Sequence, residues 1–380
     1  MSDLRIFSEN IVTPEGLARG EAVLRDGTIA AVERRASASA GALDWGADWL
    51  VPGLVDIHTD NFEKHYQPRP GALWDAYGAA LAHDGQCAAA GITTVFDSLS
   101  LHGRKDGLDR SAAVGPMIQA MDAAYADGAL RADHLLHLRC EVTNPQLLTV
   151  VEPFLDHPRL RLMSVTDHTP GQRQLHDMGK MHERMSASGR SADEIKQITS
   201  GDNAWRDASA AAPNRRSIVA LAREYGLPLA AHDDATAAHV DESHADGCVI
   251  AEFPVTLEAA RLSRDRGLSI VMGGPNFVRG ASHSGNLSAR EAAAADLLDI
   301  IASDYVPLSM LRTAFQLIDD FGWAPEKALA VVAANPARSV GLADRGEIAA
   351  GQRADLVRVF RGAGGWPAPV EVWREARRVA

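Results

Sequence analysis

Eight short apolar runs recur along the middle of the chain, and this pattern constrains the fold more than any other feature. The runs are LVDIHTD, TTVFDSLS, HLLHLRCEV, LRLMSVTDH, LPLAAHDD, GCVIAEFPV, LSIVMGGPN and DIIASDY. Helical stretches such as SIVALAREYG and TLEAARLSRDRG separate them. Alternating strands and helices build a parallel sheet, either an open doubly wound sheet or a closed (β/α)8 barrel. Many of the runs end in His, Asp or Glu, as the active-site face of a barrel requires, so we predict an α/β fold of the TIM-barrel type.

The two ends of the chain have a different pattern. Short alternating runs fill the amino-terminal part, where Asp26 and Gly27 favour a hairpin turn, and GEIAAGQRADLVRVF returns to this style near the carboxyl terminus. We therefore expect residues 1–50 and 341–380 to form one small β-sandwich domain, and residues 51–340 to form the barrel.

A polar segment near residues 177–213 interrupts the barrel pattern. It is too long for a simple connection between a strand and a helix, and its composition favours helix. Two interpretations remain open at this stage. The insertion is either a lid over the strand ends or an exposed helical segment that covers nothing.

Composition argues against several classes of function. The 380 residues are 46% hydrophobic and 23% charged, the balance of a folded globular protein. With 38 Lys and Arg against 50 Asp and Glu, the net charge of -12 provides no general attraction to nucleic acid or to an anionic membrane. The cysteines Cys87, Cys140 and Cys248 are far apart, and no apolar stretch approaches the roughly 20 residues of a membrane span. We expect a cytoplasmic protein; whether it forms a homo-oligomer is not decided by the sequence.

Side chains that bind metals recur where the apolar runs end. His58 and Asp60 are two residues apart in VDIHTD, so on a strand both leave the same face. Alone the pair is a weak signal, because a histidine and a capping aspartate are common at a strand end. Similar residues end four other runs: Glu141, His168, His232 and Asp304. A barrel gathers its strand ends around one axis, so the combined pattern predicts one site.

The chemistry of these ligands narrows the choice of metal. Imidazole and carboxylate groups without thiolates suit a divalent ion, with Zn²⁺ the first choice and Mn²⁺ or another borderline ion as alternatives. We expect one or two ions per chain. Such an ion lowers the pKa of bound water from about 15.7 towards about 7, which indicates a hydrolase. Asp304 would then orient the water and shuttle its proton.

At these residues the sequence resembles the amidohydrolase superfamily, and the resemblance spans nearly the whole chain. It includes the phrase WLVPGLVDIHTD at the start of the barrel and ANPARSVGL near its end. The superfamily's further histidines more often lie on strands five and six, whereas our count places the corresponding residues on strands three to five. The resemblance implies a metal centre with a catalytic acid/base: the ligands His58, Asp60, Glu141, His168 and His232, and the acid/base Asp304.

Four segments resemble a narrower family, the diphosphatases of the carbon–phosphorus lyase pathway. The segments are HTDNFEKHYQPRPG, DHTPGQRQ, AAHDD and GGPNFVRGASHSGNLSA. This resemblance implies a phosphorylated small-molecule substrate, α-D-ribose 1-methylphosphonate 5-triphosphate. Water would attack its α-phosphorus and pyrophosphate would leave, with the 5-phosphate as the second product.

A triphosphate requires cationic and hydrogen-bonding groups beyond the metal. In loops such groups are also commonly solvated or paired with neighbouring acids, so each assignment has a structural alternative. The matching segments offer five candidates for substrate binding: Lys64, Arg69, Arg173, Arg279 and His283.

Two other functions stay open. A hydrolase of the same fold that cleaves a cyclic amide or an N-acyl sugar phosphate would use the same ligands. A barrel that has lost catalysis and serves as a scaffold is disfavoured, because each expected type of ligand is present.

Overall fold

The computed structural model describes residues 3–105, 108–175, 178–187, 189, 191, 193, 195, 206–282 and 285–380. The strands are β1 (Leu4–Thr13), β2 (Gly16–Arg25), β3 (Thr28–Arg34), β4 (Leu43–Asp44), β5 (Trp49–Pro52), β6 (Leu54–Thr59), β7 (Ile92–Ser100), β8 (Arg104–Lys105), β9 (Leu108–Asp109), β10 (Asp133–Glu141), β11 (Leu160–Thr166), β12 (Leu229–His232), β13 (Ile250–Glu252), β14 (Ser269–Gly273), β15 (Ile300–Ala302), β16 (Leu356–Arg361), β17 (Pro367–Arg374) and β18 (Arg377–Arg378).

Helices connect most of these strands. Within the described residues they are α1 (Asn61–Tyr66), α2 (Ala76–Ala89), α3 (Arg110–Ala126), α4 (Leu147–Val151), α5 (Met178–Ala187), α6 (Ala211–Glu224), α7 (Ala237–Ala245), α8 (Leu257–Asp265), α9 (Gly274–Arg279), α10 (Ala289–Ala294), α11 (Ser309–Phe321), α12 (Pro325–Ala330) and α13 (Ala334–Ser339). Short 3₁₀ turns lie at Glu152–Phe154, Arg173–Leu175 and Ala208–Ala210.

Eight parallel strands form the barrel. They pair in the order β6, β7, β10, β11, β12, β13, β14 and β15. A parallel bridge between Thr59 and Asp304 connects the first strand to the last. There the amide of Asp304 donates to the carbonyl of His58 at 3.0 Å, and the amide of Asp60 donates to the carbonyl of Asp304 at 2.6 Å. The predicted (β/α)8 TIM barrel is confirmed, with its eight strands in the eight apolar runs.

An apolar layer inside the barrel lies below a polar one. Phe96, Leu135, Ala230 and Ile250 belong to one buried cluster, to which neighbouring strands also contribute. Because alternate residues of a strand face the same side, the residue two positions further along faces the same axis. On these four strands that residue is Ser98, His137, His232 and Glu252, and all four are buried. At their carboxyl ends the strands therefore present hydrogen-bonding groups, and the apolar layer lies below these groups inside the barrel.

Strand β10 shows how the sequence separates the two faces. Leu136, Leu138 and Cys140 pack outward in a buried cluster with Met117 and Met121 of helix α3. The alternate side chains face the barrel axis: His137, Arg139 and Glu141. Because the three apolar side chains are buried on the outer face of the barrel, the three polar side chains that alternate with them face the barrel axis.

Strands from both ends of the chain form a separate mixed sheet, in the order β18, β17, β16, β5, β1, β2 and β3, with β4 on β1. The predicted hairpin is present between β2 and β3, where Asp26 and Gly27 have φ angles of +47° and +81°. A sheet built from both termini is confirmed. The domain boundaries at residues 50 and 341 stay a prediction.

The polar segment near 177–213 is described only in part, by α5, isolated residues and the chain from residue 206 onward. Most positions of the predicted lid therefore lie outside the described residues. Among the described helices, none combines the length and the apolar character needed to cross a membrane.

Candidate functional site

One buried carboxylate joins two of the predicted metal ligands. Glu252 ends strand β13 and is fully buried. Its Oε1 accepts a hydrogen bond from Nδ1 of His58 at 3.0 Å, and its Oε2 accepts one from Nδ1 of His232 at 3.1 Å. An imidazole that donates from Nδ1 to a carboxylate presents its Nε2 to a metal. Glu252 therefore orients both rings.

Glu252 is not among the residues predicted from the sequence. The residue ends strand β13 but lies inside the apolar run GCVIAEFPV, which was assigned to the barrel. An acid at the end of a strand is the signal that selected Glu141, and here the apolar residues that follow Glu252 concealed where the strand ends.

A second group of polar side chains surrounds Glu141 at the end of β10. Its Oε2 accepts a hydrogen bond from Nδ1 of His168 at 2.7 Å, and its Oε1 accepts one from the hydroxyl of Thr143 at 2.8 Å. His102, which the sequence analysis missed, follows strand β7 and places Nε2 3.9 Å from Oε2. Burial works to raise the pKa of Glu141, but His168 outweighs it and lowers the pKa to about 2. The carboxylate is charged at neutral pH.

Asp233 lies between the two groups. Its Oδ2 is 3.2 Å from Nε2 of His232 and 4.0 Å from Nε2 of His168. The residue follows β12 directly and has a left-handed φ of +61°, a conformation that costs a non-glycine residue about 1–3 kcal/mol and concentrates at functional sites. An aspartate close before a helix is a common cap of that helix. The cap of α7 is Thr236, whose hydroxyl accepts from the amide of His239.

A permanent positive charge lies inside the site. The side chain of Arg139 is buried, its Nη1 donates to Oδ1 of Asp60 at 2.5 Å, and its Nη2 is 3.4 Å from Nε2 of His232. Burial opposes the charge, but Asp60 and then Glu252 outweigh it and raise the pKa of Arg139. Arg139 is not among the residues predicted from the sequence. Its signal was its place in β10, two positions before Glu141 and on the same face.

The predicted acid/base, Asp304, lies where the barrel closes. Its backbone has a left-handed φ of +55° and bonds to the first strand. Burial, and then the negative charge of Asp60, raise the pKa of Asp304 to about 6, although His58 and Arg139 oppose the shift. A group with a pKa near the working pH can both accept and release a proton.

The predicted substrate-binding residues are placed differently from one another. Lys64 is exposed, donates from Nζ to the carbonyl of Tyr305 at 2.8 Å and lies 4.5 Å from the centre of its ring. Arg69 and Arg279 are exposed as well. His283 lies outside the described residues.

Arg173 differs because it is buried, with 4% of its surface exposed. Its guanidinium forms ion pairs with Asp234 and, at 2.8 Å, with Glu242. The structure thus places its charge within the protein, between the loop after β11 and the segment after β12. The substrate-binding roles of all five residues stay predictions.

Further basic side chains lie near the site. Arg110 pairs with Glu63 at 2.6 Å. Arg206 is partly buried and interacts with the charges of Glu141 and Asp167. Neither residue is among those predicted from the sequence, because both lie outside the four matching segments.

The donor set fits a divalent cation. Burial opposes a charge on His232, yet Asp233 and Glu252 outweigh it and raise the pKa of His232 to about 9, so the site favours a positive charge at this ring. Nitrogen and oxygen donors of this kind are those that Zn²⁺ and related ions take. Three groups in the site hold their possible ligand atoms within 4.8 Å of one another: His58, His232 and Glu252; His102, Glu141 and His168; and His168, His232 and Asp233.

Each of the five predicted ligands lies at this face of the barrel. His58, His232, Glu141 and His168 belong to the groups just given. Asp60 is linked to these groups by its ion pair with Arg139, and Oδ1 of Asp60 is 4.0 Å from Nε2 of His58. Whether each residue binds a metal stays a prediction.

A (β/α)8 barrel that gathers imidazoles and carboxylates at the carboxyl ends of its strands has the architecture of a metal-dependent barrel hydrolase. The model of the amidohydrolase family matches residues 49–373. The chain belongs to the amidohydrolase family.

Within that family, a particular relative covers almost the whole chain. The α-D-ribose 1-methylphosphonate 5-triphosphate diphosphatase of Escherichia coli (strain K12) is 41% identical over 376 residues, which are 98% of this chain and 99% of the relative. The narrower resemblance found in the sequence is confirmed.

Solved structures support the fold. The N-acetyl-D-glucosamine-6-phosphate deacetylase from Mycobacterium smegmatis has a TM-score of 0.66 at 17% identity, over 99% of this chain and 100% of that chain. The 5-methylcytosine deaminase from Klebsiella pneumoniae has a TM-score of 0.64 at 15% identity, over 99% and 98%. At such identities the likeness shows the architecture alone.

Proposed function

We propose that this protein is a metal-dependent diphosphatase that releases pyrophosphate from α-D-ribose 1-methylphosphonate 5-triphosphate and leaves the 5-phosphate. The observation that carries the proposal is the likeness to the Escherichia coli diphosphatase, which extends over nearly the full length of both chains. The site supports the proposal with donors that suit a divalent ion, a buried carboxyl group whose pKa is raised, and basic side chains.

The residues that would hold the ion are drawn from the predicted set, His58, Asp60, Glu141, His168 and His232, and from Asp233. Their nitrogen and oxygen donors favour Zn²⁺, with Mn²⁺ as the alternative. When bound, the ion activates water and neutralises charge on the phosphates. Glu252 and Glu141 hold the rings in place through Nδ1.

Asp304 is the group that would move the proton. It lies beside His58 and Asp60, with a pKa raised to about 6 mainly by burial. At neutral pH most of it is ionised, so its carboxylate can take a proton from the attacking water. The same group can return a proton as the product leaves.

Basic side chains would stabilise the triphosphate. As the water oxygen bonds to the α-phosphorus, the bond from that phosphorus to the bridging oxygen breaks and pyrophosphate departs with the electron pair. Negative charge then grows on the departing group, so cations near it lower the barrier. We assign this role to Lys64, Arg69, Arg279 and His283. Arg173, the fifth predicted residue, is held by Asp234 and Glu242, and we assign to it instead the role of fixing the loop after β11 against the segment after β12.

A direct comparison of substrates tests the proposal. The purified, zinc-loaded protein would be incubated in parallel with the ribosyl triphosphate, ATP, an N-acyl sugar phosphate and a cyclic amide. We expect release of pyrophosphate from the ribosyl triphosphate, with slower release from ATP. Release of a carboxylate or of ammonia from the amides, without pyrophosphate from either triphosphate, would instead support an amide hydrolase.

A further inference from the structure

Helix α1 lies at the rim of the site, although it is too short to be stable alone. It has six residues, Asn61–Tyr66, and isolated helices of fewer than about 12 residues are marginal in water. Asp60, which precedes the helix, pairs with Arg139 and does not cap the first turn. Lys64 in the helix donates to the carbonyl of Tyr305. The placement of α1 therefore depends on the residues that pack against it.

A buried histidine of helix α2 holds the start of α1. Asn61 is 3% exposed, and its Nδ2 lies 3.0 Å from Nδ1 of His83 and donates to Oε1 of Gln86 at 2.9 Å. The ring of Phe62 stacks on that of His83, with the centroids 5.4 Å apart and the planes at 3°. Nε2 of His65 lies 2.8 Å from Oε1 of Gln86. Three residues of α1 thus contact His83 or Gln86.

Asp97 determines which nitrogen of His83 carries the proton. Nε2 of His83 lies 2.8 Å from Oδ1 of Asp97, and Nδ1 of His134 lies 3.0 Å from Oδ2 of the same carboxylate. All three side chains are fully buried. Burial works to raise the pKa of Asp97, but His134 outweighs it and holds that pKa well below its ordinary value, so the charged carboxylate accepts from both rings. Burial lowers the pKa of His83, and the neutral ring with its proton on Nε2 offers the lone pair of Nδ1 to Asn61.

We propose that His83 is a positioning residue of the site, which accepts a hydrogen bond from Asn61 through Nδ1 and thereby fixes the turn from β6 into α1. This turn carries Asp60 directly before Asn61 and Lys64 in the helix that follows. His83 acts through these residues from behind the turn. Because a misplacement of about 1 Å can lower a rate by about 100-fold, the contact matters for turnover. The inference deepens the proposed function and rests on it, since it assigns a residue to the same site.

Two variants of His83 separate the acceptor on Nδ1 from the donor on Nε2. In His83→Asn the shorter amide can offer an acceptor to Asn61, whereas in His83→Gln the longer amide can donate to Asp97. Both variants lose the stacking on Phe62. We expect kcat for pyrophosphate release to fall by about 100-fold in His83→Gln and by less than about 10-fold in His83→Asn. A purely structural role predicts equal kcat values per folded protein, and equal values or a larger loss in His83→Asn would overturn the proposal.

Controls at other positions complete the kinetic test. His157 bonds to Asp122 at 3.2 Å just before β11, and His157→Asn and His157→Gln should leave kcat unchanged. If a variant of His83 fails to fold, Asn61→Leu removes the same hydrogen bond from its donor side. We expect about the same 100-fold fall in that variant. An unchanged kcat in folded Asn61→Leu would contradict the proposal.

Hydrogen exchange tests the positioning without any substrate. Mass spectrometry would follow the backbone amides of residues 60–67 in the unmodified protein and in the two His83 variants. We expect exchange about 10-fold faster in His83→Gln than in His83→Asn, the scale of one lost hydrogen bond. This difference in a protein that releases no pyrophosphate would refute the proposed function and support the inference. An active diphosphatase whose two variants exchange and turn over alike would do the reverse.

Discussion

His168 donates from Nδ1 to Glu141 across 2.7 Å, and the pair repeats what Glu252 does for His58 and His232. Three imidazoles from three parts of the barrel thus have one nitrogen fixed by a buried carboxylate. The Nε2 atoms of His232 and His168 lie 3.2 and 4.0 Å from Oδ2 of Asp233, and Nε2 of His58 lies 4.0 Å from Oδ1 of Asp60. The rings of His58 and His232 stack with their centroids 5.5 Å apart, and those of His168 and His232 are 5.7 Å apart. This convergence is what makes the strand ends one site.

Removal of the shared carboxylate should weaken metal binding. In Glu252→Gln the side chain keeps its size but loses the charge that holds the two Nδ1 protons. We expect affinity for Zn²⁺ to fall by roughly 10- to 100-fold, as is typical when a partner of a metal-binding histidine is replaced. Competition with a chromophoric chelator measures it. Glu258→Gln, on the exposed face of α8, is the control, and an equal effect in both variants would count against this role.

Asp304→Asn should separate proton transfer from metal binding. The backbone bonds that close the barrel do not involve the carboxylate, so the fold should persist. We expect kcat to fall by about 10²- to 10⁴-fold, the usual contribution of a general acid or base. Steady-state kinetics and zinc analysis on one preparation measure both effects. An unchanged kcat, or a fall that merely follows the loss of zinc, argues against the assignment.

Lys64→Gln should weaken binding of the triphosphate. Lys64 is exposed beside Tyr305 and interacts with the charges of Asp304 and Asp60. Loss of one charge-assisted contact of about 1.5 kcal/mol corresponds to a rise in KM of roughly 10-fold. Titration of the substrate at fixed ionic strength gives the value. Lys327→Gln on α12 is the matched control, and a KM that rises equally in both variants would refute the specific role.

The buried His134 should make stability depend on pH. Burial opposes its charge, but Asp97 and Asp84 outweigh it and raise the pKa of His134 to about 9. Because this lies above the unfolded value of about 6.5, the stabilisation is complete below pH 6.5 and is lost as the pH rises through 9. We expect the free energy of unfolding to decline by about 3 kcal/mol across that window.

Urea denaturation at a series of pH values measures this decline. His134→Gln should be less stable at pH 6 and should lack most of the pH dependence between 6.5 and 9. The exposed His244→Gln is the control and should follow the unmodified protein. If His134→Gln keeps the full decline, the charge on His134 does not account for it.

Most of the fold could be predicted because it follows from local patterns. Each barrel strand is an apolar run of ordinary strand length, and the Asp26–Gly27 turn places both residues at positive φ. The pairing that closes the barrel, between Thr59 and Asp304, joins the two ends of the barrel sequence. No local signal specifies such a contact, and it followed from the expectation of a barrel as a whole.

The site could be predicted only where a residue lies at or just beyond the end of its strand. Glu141 and His232 are the last residues of β10 and β12, His58 is the second-last residue of β6, and His168 and Asp304 follow β11 and β15 by two residues. Arg139 was missed because it lies inside a strand, and an arginine there gives no hint that it faces the axis rather than solvent. The ion pairs of Arg173 could not be foreseen, since its partners are 61 and 69 residues away in the chain.

The most direct test of the proposed function is a ³¹P NMR time course with α-D-ribose 1-methylphosphonate 5-triphosphate, recorded before and after metal removal. The account predicts that the triphosphate resonances give way to pyrophosphate and a single 5-phosphate ester, that a chelator stops the reaction, and that Zn²⁺ restores it. Orthophosphate as the first product, or turnover that continues unchanged in the metal-free protein, would contradict it.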